Sequence, residues 1–260
     1  MKSTIRRFWP AALLALCCGL PSAFAQTVNV NIYSAGSVVS DGIYMSPYYA
    51  TIKNGSTSTN TTIICDDFKD ESYLNSPFSA KLMSFSSLSS NLGSTLWGAA
   101  LGSSAYTLYQ EAAWLAEGLL NVVSQNPVNT VNEAYYSFAM WAVMDPSEVL
   151  NWLKASGDWS ACQAVFGNNC TSYTQLGTNS LLYMAQHNYA NGNYSNLALL
   201  TPLSGSQLCK VPGTCVAQEF FTVVSAAEGG AAALYLLFAA ATCFGAMYLR
   251  SPRPKTATTA

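Results

Sequence analysis

Apolar and polar positions alternate at the start of the chain body. Val28, Val30 and Ile32 interleave with Asn29 and Asn31, the two-residue period of a half-buried strand. A second strand-like run, rich in Tyr, Met and Ile, extends from Tyr44 to Ile52. Gly55-Ser56-Thr57-Ser58 reads as a turn and Thr61 to Cys65 as a further strand. The period then lengthens. Leu108, Ala112, Leu115 and Leu119 share one helical face between Ser104 and Ser124, with Pro127 closing the helix. A second helix is expected from Asn129 to Met144, with Tyr136, Ala139, Met140 and Val143 on one face. Asp145-Pro146-Ser147-Glu148 is a helix start: Asp caps, Pro takes the first helical position, and Glu follows three residues after the cap. That helix should end at Gly157. Another is expected over Thr178 to Ala190, before Asn191-Gly192, and the chain returns to extended structure ending in Val216 to Val224. The expectation is an α+β fold: a small β sheet or barrel from the N- and C-terminal thirds, with a central helical insertion.

The two ends carry different patterns. Lys2, Arg6 and Arg7 precede an apolar stretch from Phe8 to Leu20, and Ala23-Phe24-Ala25 offers small residues for a signal peptidase, with Gln26 the new N-terminus. At the other end, Ala231 to Leu249 is uninterruptedly apolar, enough to cross a bilayer core of about 30 Å as a helix. Arg250, Arg253 and Lys255 follow it, and positive charge stays on the cytoplasmic side. The expected organisation is a signal peptide over 1–25, an ectodomain over 26–226, and a C-terminal segment over 227–260 containing a transmembrane helix at 231–249.

Charge and cysteine narrow the function. Residues 26–226 hold twelve acids, five lysines and no arginine, which argues against a nucleic-acid partner. Five cysteines lie between the terminal segments. Cys162 with Cys170, and Cys209 with Cys215, are close in sequence, and each pair brackets a loop, so disulfides are expected there in an exported chain. Cys65 is left over, either packed and inert or reactive. Asp66, Asp67, Asp70 and Glu71 follow it, an acidic cluster that reads as a solvated turn or a weak calcium candidate. No other metal or cofactor is implied. Cys65 with the single histidine, His187, and Asp67 as orienter is the only set that could support a cysteine hydrolase. The leading expectation is a non-enzymatic protein.

Two resemblances sharpen this. Glu228-Gly229-Gly230, the apolar span, Cys243-Phe244-Gly245-Ala246-Met247 and the basic tail from Arg250 resemble a PEP-CTERM sorting signal, with Ala227 where that signal has proline. The resemblance implies an exosortase-like processing enzyme, transient membrane attachment and release toward the cell surface or matrix. It also implies a link to exopolysaccharide and biofilm, with a surface polysaccharide or protein as partner. Ile64-Cys65-Asp66-Asp67-Phe68, Tyr109-Gln110-Glu111-Ala112-Ala113-Trp114 and Tyr136-Ser137-Phe138-Ala139-Met140-Trp141 resemble, in this order, the thioester domains of bacterial surface adhesins and related exported domains of PEP-CTERM proteins. Leu200-Thr201-Pro202 and Gln218-Glu219-Phe220 fit the second group. In thioester domains a cysteine condenses with a helical glutamine. Here Cys65 matches the cysteine, while the position of the glutamine holds Ser137. Gln110, one helical turn before Trp114, is the alternative partner. The expectations are therefore a free Cys65 thiol or, alternatively, a covalent adhesin with a Cys65–Gln110 thioester.

Overall fold

In a computed structural model, which describes residues 25–40, 42–70, 72–167, 170–204 and 217–224, eight strands and seven α-helices are assigned. The strands are β1 Gln26–Ser34, β2 Val39–Ser40, β3 Ile43–Tyr44, β4 Tyr48–Asn54, β5 Thr57–Cys65, β6 Phe78–Ser84, β7 Leu197–Pro202 and β8 Phe220–Val223. The helices are α1 Leu88–Asn91, α2 Leu96–Leu101, α3 Ala105–Val123, α4 Thr130–Met144, α5 Pro146–Ser156, α6 Trp159–Phe166 and α7 Leu181–Asn188.

Six strands close a barrel in the order β1-β4-β5-β8-β7-β6, every neighbouring pair antiparallel, and β6 returns to β1. Closure leaves no free edge among them. The helices lie between β6 and β7, so the α+β expectation with a central helical insertion holds, and the sheet is a closed barrel. Strand alternation explains its filling. Val28, Val30 and Ile32 are opposed by Ala80, Phe78 and Ala50, all buried, and Phe78 meets Phe220 with ring centroids 6.2 Å apart. The opposite face of β7 and β8 is also buried because the helices cover it: Tyr109 of α3 meets Phe221 edge-on.

The helices start and stop for local reasons. Asn129 caps α4 by accepting the Asn132 N–H, and Asp145 caps α5 by accepting the Glu148 N–H, with Pro146 in its first turn. Gly157 ends α5 at φ 80°, a left-handed conformation that glycine adopts without penalty. Gly118 on α3 lies so close under Tyr136 of α4 that a methyl group there would collide with the ring, which sets how near the two long helices pack. Cys162 and Cys170 are disulfide-bonded, with Cα atoms 5.8 Å apart, as their spacing predicts.

Several boundaries differ from expectation. β5 begins at Thr57, four residues earlier than expected, because exposed Thr57–Asn60 pair with β4 despite being polar throughout. β6, α1, α2 and α6 are absent from the sequence reading altogether. α7 is shorter than the expected 178–190, and Tyr189–Asn191 form a 3-10 turn. The signal peptide up to residue 24, Glu71, Cys209, Cys215, Glu228, Gly229, Gly230, Arg250 and the expected transmembrane helix at 231–249 lie outside the described residues. Among the described residues no helix is long and apolar enough to cross a membrane.

Candidate functional site

Cys65 is the last residue of β5 and pairs with Phe220 of β8. It is fully buried and unbonded to another cysteine. Its N–H donates to the Ser46 hydroxyl at 3.0 Å. Its thiol donates to the Asp67 carbonyl at 3.0 Å, and the Asp67 N–H approaches the sulfur at 3.4 Å. Burial first, then the Asp67 and Asp66 carboxyls, push the thiol well above its ordinary pKa, outweighing the Asp67 backbone and the Trp141 indole. Among the described residues no acceptor lies at normal hydrogen-bond distance from the Trp141 N–H. The sulfur is therefore a protonated thiol near neutral pH, a weak nucleophile.

Ser137, on α4, connects to this site through one residue. Its hydroxyl donates to the Glu133 carbonyl at 2.9 Å and to the Ser46 carbonyl at 3.3 Å, and Ser46 in turn receives the Cys65 N–H. Trp141 lies one turn further along α4, on the same face as Ser137. Gln110, on α3, is half-buried and makes no side-chain hydrogen bond among the described residues. Its neighbour Tyr109 reaches Glu219 instead. His187 stacks on Tyr183 at 3.9 Å with a ring nitrogen on the Tyr183 carbonyl, and none of the interactions at Cys65 involves it.

A second cluster lies on the other side of the strand ends, since consecutive residues of extended chain point in opposite directions. Glu219, just before β8, is fully buried and accepts from the Leu96 N–H at 3.0 Å, from the Thr201 hydroxyl and from the Tyr109 hydroxyl. Tyr109 also accepts the Trp97 N–H at 3.1 Å, so two orphan donors in the first turn of α2 are satisfied by this pair. Asp66 is equally buried, but among the described residues neither carboxyl oxygen has a hydrogen-bond partner. Burial, then Glu219 and Asp67, push it well above the usual carboxylate range. Of the two acids Asp66 holds the proton, because Glu219 has three donors stabilising its charge and Asp66 has none. Asp67 is pushed up to about 7 by burial and then by Asp70, against the Lys69 and Asp70 N–H groups that cap its carboxylate. Among the described residues no group of His, Cys, Asp and Glu is arranged to hold a metal ion.

Sequence reasoning quoted Tyr109 and Glu219 within motifs without giving them a role. The available signal was an ionisable residue inside an otherwise apolar strand-like run, which needs buried partners. Ser46 carried no such signal.

A cavity of about 320 Å³ opens beside Cys65, at the mouth of the barrel. Tyr48, Trp141, Phe220 and Gln218 line it, and each also neighbours the cysteine or Asp67.

No protein-family model matches the sequence, and no curated protein matches it. Among solved structures the chain is similar to the N-terminal thioester domain of fibronectin-binding protein SfbI from Streptococcus pyogenes, at 12% identity and a TM-score of 0.34, covering 79% of this chain and 97% of that one. A likeness that distant says nothing about the chemistry of this site.

Proposed function

We propose that the chain is a non-enzymatic, exported surface or extracellular-matrix protein, sorted by its PEP-CTERM-like C-terminal signal, whose barrel keeps Cys65 as an unreacted thiol. The observation that carries the second half is the Ser137–Ser46–Cys65 connection. Position 137 stands next to the cysteine strand end, where the resemblance expects a glutamine, and a serine has no acyl carbon to give to sulfur. A hydrolase would need an activated nucleophile, and here burial and two neighbouring acids hold the thiol protonated, with no base on it among the described residues. Export and sorting rest on the terminal sequence patterns alone.

The intact mass of the mature protein tests the thiol. The expected result is no loss of ammonia, one cysteine alkylated only after denaturation, and no adduct with methylamine. A methylamine adduct at Gln110 that disappears in Cys65→Ala would establish the thioester instead. Ser137→Gln is expected to move the protein toward the ammonia-loss mass. Fractionation of the host tests export: the product should lie in the envelope or medium and begin at Gln26, and Glu228→Ala should impair its delivery. A cytoplasmic product that retains Met1 would overturn that half.

A further inference from the structure

The cavity beside Cys65 has a definite chemical character. Its walls are aromatic: Tyr44, Tyr48, Phe68, Tyr73, Trp141 and Phe220 all contribute. The rings meet at angles. Phe68 and Trp141 lie 5.2 Å apart at 43°, and Tyr48 and Phe220 lie 6.2 Å apart at 85°. An aromatic lining is the kind of surface on which a cation gains from ring quadrupoles. Among the described residues Asp70 is the one carboxylate in the lining, and no lysine, arginine or histidine joins it. Lys69, beside it in sequence, is turned to Asp145 in an ion pair. The space is at the small end of ligand sites, which run from about 300 to 1,000 Å³.

Two kinds of small ligand favour aromatic walls: a sugar ring, which also needs many directed hydrogen bonds, and an organic cation, which needs π faces and negative charge. Charge decides between them: among the described residues the one charged group of the lining is a carboxylate, which favours a cation over a neutral sugar ring. The Gln218 amide nitrogen donates to the Asp67 carbonyl at 2.9 Å, and the Gln218 N–H is held by the Ser72 hydroxyl at 3.1 Å. The Tyr48 hydroxyl donates to the Tyr44 carbonyl at 2.7 Å. The aromatic walls and the Asp70 carboxylate are the features of the lining that select for a cation. We propose that it binds an alkylammonium group, a trimethylammonium head above all, through this aromatic cage and Asp70. The proposal deepens the surface-protein reading and rests on it only for exposing the cavity to extracellular ligands.

Calorimetric titration of the full-length chain tests this with three probes: choline, its neutral carbon isostere 3,3-dimethylbutan-1-ol, and phosphocholine, which adds an anion to the same head. Choline is expected to bind with a Kd on the order of 1 mM or tighter, and the isostere about tenfold or more weaker, since the shape is kept and only the charge is lost. Phosphocholine should also bind more weakly than choline, because Asp70 repels its phosphate. Tyr44→Ala and Asp70→Asn, both at accessible positions, should each weaken choline by about fivefold or more with the circular dichroism unchanged. Equal binding of choline and the isostere would overturn the proposal. So would displacement of choline by glucose, choline binding untouched by both variants, or no choline binding up to about 100 mM. These outcomes are read on purified protein. They stay separate from fractionation and intact mass, on which the surface-protein and free-thiol readings stand or fall.

Discussion

The two sides of the β5–β8 strand ends hold acids that are buried alike and treated differently. On one side Glu219 receives three hydrogen bonds and ties α2, α3 and β7 to β8. On the other, Cys65 and Asp67 lie behind an open aromatic cavity, while beside Glu219 the Asp66 carboxyl oxygens have no hydrogen-bond partner among the described residues. The difference separates architecture from candidate function. Where every donor has an acceptor, a buried charge fastens elements together. Where groups are left unpaired or a cavity left unfilled, the fold gives up stability, and such places are where a ligand gains most.

The strongest way to break this contrast is Glu219→Ala. It strands the Leu96 N–H and the hydroxyls of Tyr109 and Thr201 in a buried site, and should cost about 3–5 kcal/mol in urea unfolding. Glu219→Gln should cost less, since the amide keeps an acceptor for part of the set.

The next effect is on pH. Asp67 and Glu111 are both pushed up to about 7, mainly by burial, and Asp66 and Glu219 are also raised. Between about pH 4 and 7 the folded protein then binds more protons than the unfolded chain, so stability falls as pH rises through that window. Unfolding free energy should drop by about 2–4 kcal/mol between pH 4.5 and pH 7.5, read from urea midpoints at each pH. A flat or rising profile would contradict the protonated acids.

A control away from both sides is the Cys162–Cys170 bridge. Replacing both cysteines by alanine should cost about 2–3 kcal/mol, through the unfolded chain, and leave Cys65 alkylation unchanged. Closer to the cavity, Ser137→Ala removes the hydroxyl that bonds the Glu133 and Ser46 carbonyls and should cost about 1 kcal/mol. Smallest of all, Tyr44→Ala at the exposed cavity rim should alter stability by no more than about 0.5 kcal/mol. A larger loss there would make Tyr44 a structural residue instead of a wall of the cavity.

The sequence already specified whatever depends on neighbours along the chain. The Asp145 cap with Pro146 and Gly157 bounds α5 because each acts within one turn. The Val28, Val30, Ile32 alternation marks β1 because side chains of a strand take opposite faces. Cys162 meets Cys170 across a short loop, eight positions apart, which costs little chain entropy to close. β6 was less legible, because Phe78 and Ala80 keep the two-residue period while buried Met83 falls out of it, and serines that suggest a loop follow. The short helices α1 and α2 are serine- and glycine-containing segments that tertiary packing holds helical. The partners of Cys65 and Glu219 had no such local signature. Ser137 and Ser46 are 91 positions apart, and Tyr109 and Glu219 are 110 apart. Only closure of the barrel, with α3 and α4 laid across its strands, brings those groups within hydrogen-bond distance. Whether a buried acid is charged, whether a thiol is idle and whether a ring faces a cavity all depend on what surrounds the group, and a chain read residue by residue carries no record of that.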